Sequence, residues 1–271
     1  MFERIVAGTD GSDTAKLAME HAVDLAGRLP AELTVVSAYR APAQPRTGRP
    51  SAGRPNGGSS EAFSSEAAIA RALLRDVEAS HGDRVVLRTR AISGEPSTSL
   101  IQTAQDEGAD LLVVGNLGMN RSQFLMRSIP GRVAHRAPIS VLVVDTVRGR
   151  RPGYERMLVG VGDGPSGLRA AEAAAWLADR LKAELTAAIV GSGATERDAA
   201  ARVERQWPGL DVRLVPGSPT AELCNLAESG RYDLLVVGNR GLAGAKRFIG
   251  SVPDKVSHRA RTNVLIVHSL D

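Results

Sequence analysis

Two doubly wound α/β domains in tandem, each a five-stranded parallel sheet with helices on both faces, are what this sequence predicts. Three observations carry that prediction. Short apolar runs such as Leu111 to Val114 and Leu234 to Val237 lack polar alternation and end on glycine, as strands covered on both faces do. They alternate with stretches of helical periodicity joined by short loops, which is the grammar of right-handed βαβ units. Finally, the pattern occurs twice. Asp110-Leu-Leu-Val-Val-Gly115 and Asp233-Leu-Leu-Val-Val-Gly238 lie 123 residues apart, and Ala31-Glu-Leu-Thr34 returns as Ala183-Glu-Leu-Thr186.

In the first half, Arg4 to Thr9 reads as a strand and Asp10-Gly11-Ser12 as the turn into a helix capped by Ser12 or Asp13. That helix repeats Leu17, His21 or Ala22, Leu25 and Leu29 on one face and stops at Pro30. Leu33 to Ala38 is the second strand. Residues 40 to 60 form a loop rich in Pro, Gly, Arg and Ser, with almost nothing apolar to tie it down, and are expected to be mobile. Ser64 to Ser80 is a helix, Val85 to Ala91 a strand, and Gly94-Glu95-Pro96 opens a helix through Glu107. Asp110 to Gly115, a helix from about Ile129 to Arg136, and Ser140 to Val144 complete the half. The second half repeats this with strands at Met157 to Val161, Glu184 to Val190, Asp211 to Val215, Leu234 to Gly238 and Asn263 to Val267. Its helices run from Ser166 to Leu181, from about Thr195 to Gln206, from the Gly217-Ser218-Pro219 opening to Glu228, and from the glycine stretch to Ala260. Domains are expected at 1–147 and 154–271, joined by Thr146 to Tyr154.

The totals exclude several classes. The chain is 43% hydrophobic and 24% charged, which suits a globular protein, and no apolar run is long enough to span a membrane. Met1-Phe-Glu-Arg-Ile-Val enters a strand at once, without a signal-peptide pattern, so a cytoplasmic location is expected. The net charge of +4 raises nucleic acid as a partner. Arg40, Arg46, Arg49 and Arg54, however, share one loop, most other arginines alternate with acids along helices, and aromatics make up only 3%. Nucleic acid is therefore not expected. Cys224 is the only cysteine and sits in an apolar helical setting. His135 and His258 occupy equivalent positions near helix ends, where the helix dipole accounts for them better than a metal does. Asp110 and Asp233 precede their strands, opposite the ligand edge, and read as helix-stop or surface residues.

Chemistry is expected where the fourth strand of each half gives way to glycines. Gly238 and Gly241 keep side chains away from backbone N–H groups, and Gly250-Ser251-Val252-Pro253 reads as a cap and first helical turn, together a cradle for phosphate. In doubly wound sheets ligands bind beyond the carboxyl ends of the strands, so Asp10 should face residues 115–130 and Asp163 residues 238–253.

These residues resemble the universal stress protein family, over nearly the whole chain as a tandem pair. In that family an aspartate follows the first strand, as Asp10 and Asp163 do here, and nucleotide-binding members carry Gly-x2-Gly, a nine-residue gap, then Gly-Ser or Gly-Thr. Here Gly238-Asn-Arg-Gly241 is followed by a gap of eight and Gly250-Ser251. The resemblance implies ATP, with or without Mg²⁺, or another adenine nucleotide such as cAMP. Gly162, Asp163, Gly164 and Val190 would surround the nucleoside, and Gly238, Arg240, Gly241, Gly250, Ser251 and Val252 the phosphates. In the first half these roles fall on Thr9, Asp10, Gly11, Ala38, Gly115, Gly118, Ser128 and Ile129, with Arg127 standing where the second half has Gly250. Arg127 either fills the phosphate site or adds a cation to it, and the second half is expected to be the better site.

The resemblance also implies pairing of the fifth strands, Val141 to Val144 with Val264 to Val267, into a pseudo-dimer within one chain, with a homodimer and an unknown protein partner as further associations. No reaction is expected. There is no Gly-x4-Gly-Lys-[Ser/Thr] loop, no Gly-x-Gly-x-x-Gly fingerprint and no converging triad, though Asp10 or Asp163 could hold Mg²⁺ for slow ATP hydrolysis. The competing expectation is a scaffold of the same fold that works without nucleotide.

Overall fold

A computed structural model describes residues 1–39, 57–116, 129–149, 151–239 and 251–269. The first half contains β1 (Arg4–Gly8), α1 (Asp13–Arg28), β2 (Glu32–Tyr39), α2 (Gly57–His81), β3 (Leu87–Ser93), α3 (Pro96–Asp106), β4 (Leu111–Gly115), α4 (Ile129–Arg136) and β5 (Ser140–Val144). The second contains β6 (Arg156–Gly160), α5 (Pro165–Leu181), β7 (Glu184–Val190), α6 (Ala194–Gln206), β8 (Asp211–Val215), α7 (Pro219–Ser229), β9 (Leu234–Asn239), α8 (Val252–Arg259) and β10 (Asn263–His268). The predicted order of elements stands. The loop expected over 40 to 60 falls largely outside the described residues, and its last four residues, from Gly57, belong to α2 instead. The third strand also lies two residues later than predicted, because the extended pairing of Leu33 with Leu87 sets its start.

The strands form one ten-stranded sheet in the order β3-β2-β1-β4-β5-β10-β9-β6-β7-β8. Within each half all neighbours are parallel, and β1/β4 and β6/β9 are the points where the strand order reverses. Between the halves β5 and β10 pair antiparallel, with Leu142 opposite Leu265, Val143 opposite Val264 and Val141 opposite Ile266. Because that seam is antiparallel, the carboxyl ends of the two sets of strands lie on opposite edges of the sheet.

Side chains alternate across the sheet, so each face carries its own core. Leu142 and Leu265 belong to the cluster beneath α1 and α5, whereas Val141, Val143, Val264 and Ile266 belong to the cluster beneath α3, α4, α7 and α8. Both clusters run across the seam without interruption. The end of the linker is held in the first of them: Tyr154 is fully buried, and its hydroxyl lies 2.8 Å from Nδ1 of the buried His21 on α1. Burial pushes the Tyr154 phenol well above its ordinary value, so it stays neutral. Phe2, its counterpart in the first half, packs edge-on against Trp176 of α5.

Asp110 and Asp233 are not idle surface residues. Asp110 accepts the backbone N–H groups of Glu3 and Arg4, and Asp233 those of Glu155 and Arg156, so each carboxylate caps the start of the first strand of its half. Among the described residues no helix is long and apolar enough to cross a membrane.

Candidate functional site

A cavity opens at each reversal point. The second-half cavity has a volume of about 510 Å³ and lies between the ends of β6, β7 and β9 and the starts of α5, α7 and α8. Gly162, Asp163, Gly164, Val190, Gly238, Ser251 and Val252 all line it, so seven of the predicted residues come together there. Arg240, Gly241 and Gly250 lie outside the described residues. The first-half cavity, of about 490 Å³, brings together Thr9, Asp10, Ala38, Gly115 and Ile129. Gly11 does not line it; this glycine makes the turn at φ +80° against Leu73. Gly118, Arg127 and Ser128 lie outside the described residues. Both volumes suit a small organic ligand.

Each wall has a physical cause. Gly8 and Gly160 leave room for Leu100 and Leu223, whose nearest methyl groups would meet a Cβ there at 2.8 and 2.7 Å, and these leucines form the apolar floor. In the second half Val237, Ala188 and Pro219 continue that floor. At the rim, Ser251 caps α8: it is extended (φ −69°, ψ 163°), and its hydroxyl accepts the Asp254 N–H, with Pro253 in the first turn. The expected cap-and-turn over Ser251, Val252 and Pro253 therefore has the predicted geometry. His258, one turn further on, stands 3.4 Å from Asp254.

Two residues are placed by contacts between elements remote in the chain. A Cβ on Gly238 would overlap the backbone carbonyl of Ser166, so this glycine lets the first turn of α5 close onto the end of β9. Gly115 does the same against Thr14 and Thr146, more loosely. The first glycine of Gly-x2-Gly is thus a packing requirement between strand and helix, and the space it opens is filled by the protein itself. The second concerns Asp163. Pairing of Arg4 with Glu32 and of Arg156 with Glu184 aligns the two halves, and that register sets Asp10 against Gly162, with Ser12 and Gly164 as the helix caps. Asp163 stands one residue further along the turn, where its carbonyl accepts from Arg202 of α6 at 2.9 Å.

The turns differ in how they hold themselves. Asp10 Oδ1 accepts from the Ser12 N–H at 3.0 Å and from its hydroxyl at 2.6 Å, while Ser12 Oγ caps α1 through the Ala15 N–H. In the second turn the cap of α5 is Gly164, which has no side chain to offer. The entrance of α3 is likewise closed by its own cap. Glu95 accepts from the Thr98 N–H and from the hydroxyls of Ser97 and Thr98, and pairs with Arg132 of α4 at 2.6 Å. Burial raises the Glu95 carboxyl, but those hydrogen bonds outweigh it and hold the group at about 2. The matching Ser218 makes no side-chain cap to α7.

The sequence profile of the universal stress protein family matches residues 1–145 and 188–268, most of the chain. The chain belongs to that family. A universal stress protein of Mycobacterium tuberculosis is 34% identical over 147 residues, which cover 54% of this chain and 97% of that relative. The crystal structure of a universal stress protein from Archaeoglobus fulgidus covers 99% of this chain and 97% of its own at a TM-score of 0.76 and 18% identity, a likeness of fold. A universal stress protein solved in complex with cAMP is 30% identical and covers 54% of this chain and 98% of its own, with a TM-score of 0.43. The Archaeoglobus fulgidus structure thus shares the fold of this chain over nearly its whole length.

Proposed function

We propose that this universal stress protein binds ATP or a related adenine nucleotide in the second-half cavity and signals through nucleotide-dependent shape or partner contacts, with no reaction required. The observation that carries this reading is the cavity of about 510 Å³, apolar in its floor and bounded by the starts of three helices. Among those, α5 and α7 begin with Pro165 and Pro219 and have no side-chain cap; the Gly167 N–H of α5 is taken by the Gly164 carbonyl, so α7 is the start left without the cap that Glu95 gives α3, where it accepts the Thr98 N–H. That difference favours the second half as the tighter site. The seam between β5 and β10 makes the chain a pseudo-dimer in this reading, held by a sheet and two cores common to both domains. A nucleotide-free scaffold is the second reading, favoured by the self-capped first half.

The test is calorimetric titration of ATP and cAMP into the wild type, Val252→Asp and Ile129→Asp, preceded by chromatography of any nucleotide released on denaturation. An aspartate at the first position of α8 or α4 suits the helix dipole yet repels a phosphate there; because Val252 and Ile129 are half-buried against the core, the folding of each variant is checked by circular dichroism and urea midpoint. One charge pair at about 4 Å and an effective dielectric of about 20 is worth about 4 kcal/mol, so affinity at the altered half falls by about 100-fold or more. Val252→Asp should remove the tighter site and Ile129→Asp should leave it. No released nucleotide and no heat at saturating ATP would leave the scaffold in front.

A further inference from the structure

We infer that Glu196 reads the ribose of the nucleotide and fixes which way round it lies; this inference rests on the nucleotide reading of the second-half cavity. Glu196 is the third residue of α6, just beyond the end of β7, and it lines the cavity on the side away from Ser251. Its side chain lies back over the strand end because two glycines make room for it. A Cβ on Gly193 would stand 2.6 Å from Glu196 Oε2, and one on Gly191, at φ +142°, would stand 2.5 Å from its Cγ. The carboxylate is half-buried at the rim, while Val190, Leu223 and Pro219 form the apolar wall below it.

The chemistry of this placement is selective. A carboxylate only accepts hydrogen bonds, and a phosphate at neutral pH offers chiefly acceptors and a like charge, so Glu196 expels the phosphates from its end of the cavity. A vicinal diol offers two adjacent donors, which the two carboxylate oxygens can accept together. With the base against the apolar wall and the phosphates toward Ser251 and Gly238, the sugar is the part of the ligand left at the rim. In the dinucleotide-binding subset of doubly wound folds, whose glycine fingerprint this chain lacks, an acidic residue likewise accepts a ribose hydroxyl. Glu196 has a structural task as well. At three residues past the cap Gly193 it holds the position from which a glutamate braces a helix start, so loss of stability alone would not establish the ribose role.

The deciding measurement is a selectivity ratio. In the full chain carrying Ile129→Asp, which silences the first half, ATP and 2′,3′-dideoxy-ATP are titrated calorimetrically with Glu196 intact and with Glu196→Ala and Glu196→Gln. The background should prefer ATP by about tenfold or more, the size of a hydrogen bond to a charged group. Glu196→Ala should bring the ratio to about one and Glu196→Gln to a value between, with folding checked by circular dichroism and urea midpoint. An undiminished ratio in Glu196→Ala, or no preference in the background, overturns the ribose role. Failure of the background to bind ATP at all overturns the nucleotide reading itself, and does so before Glu196 is altered.

Discussion

The two clefts are built from one plan and finished differently. In the first, the protein's own side chains complete the helix starts: Ser12 caps α1, Glu95 caps α3, and the Glu95–Arg132 pair ties α3 to α4. In the second, glycines replace those side chains at the turn, Gly164 and Ser218 leave α5 and α7 without side-chain caps, and a glutamate from α6 stands at the rim. Cavities of nearly equal volume can therefore differ in what they offer a ligand. Volume follows from the fold, whereas unoccupied donors follow from a handful of capping residues.

The comparison breaks most sharply at the glycine ending the fourth strand. Gly238→Ala forces a Cβ into the Ser166 carbonyl, a backbone group that moves only with α5, and should cost about 2–3 kcal/mol in urea unfolding. Gly115→Ala meets Thr146 Cγ2 at 2.9 Å and the Thr14 carbonyl at 3.3 Å, and a threonine side chain can turn away. Its cost should be about 1 kcal/mol or less, because alanine also narrows the unfolded ensemble. Equal midpoints for the two variants would show that the second-half strand and helix are no closer than those of the first.

A smaller contrast is expected at the strand caps. Asp233 accepts two backbone N–H groups at 3.0 and 2.9 Å, while Asp110 accepts one at 2.8 Å and a longer one at 3.3 Å. Burial is the largest influence on the Asp110 carboxyl and pushes it up despite those hydrogen bonds, the longer of which is the weaker. Asp233→Ala should therefore cost about 2 kcal/mol and Asp110→Ala about 1 kcal/mol, read from chemical unfolding at neutral pH. The reverse order would mean that desolvation does not decide between them.

Much of this was legible in the sequence, for identifiable reasons. Fully buried parallel strands are apolar throughout, so Leu111 to Val114 and Leu234 to Val237 announced themselves, and the repeat fixed their order. Clustering of Gly162, Val190, Gly238, Ser251 and Val252 also followed, because a doubly wound sheet brings those strand ends to one edge. What stayed hidden depends on partners remote in the chain. The offset that sets Asp10 against Gly162 is carried by the Ala31 and Ala183 repeat and confirmed by strand pairing, whereas the overlap between Gly238 and Ser166 joins residues 72 positions apart. Asp110 and Asp233 looked like surface residues because the N–H groups they accept belong to another strand. Glu196 gave a weak signal at most: a glutamate three residues after a glycine reads first as part of a helix start.

Acid should separate the two halves last and least. The Glu95 carboxyl is held at about 2 in the folded chain against an ordinary 4.5, so the native state binds this proton less readily than the unfolded state does. Its stabilising contribution is therefore present above about 4.5 and fades as pH falls toward about 2. The side chain is 43% exposed, so solvent screens much of the effect and the change in midpoint should be small. The urea midpoint of wild type minus that of Glu95→Gln should be positive near neutrality and shrink across that window, while the Glu95 carboxyl resonance titrates near 2 by NMR. The second half has Ser218 at the matching position, so Ser218→Ala should show no such pH dependence. A Glu95 resonance that titrates near 4.5 would instead mean that the cap of α3 is open in solution, and with it the main distinction between the two clefts.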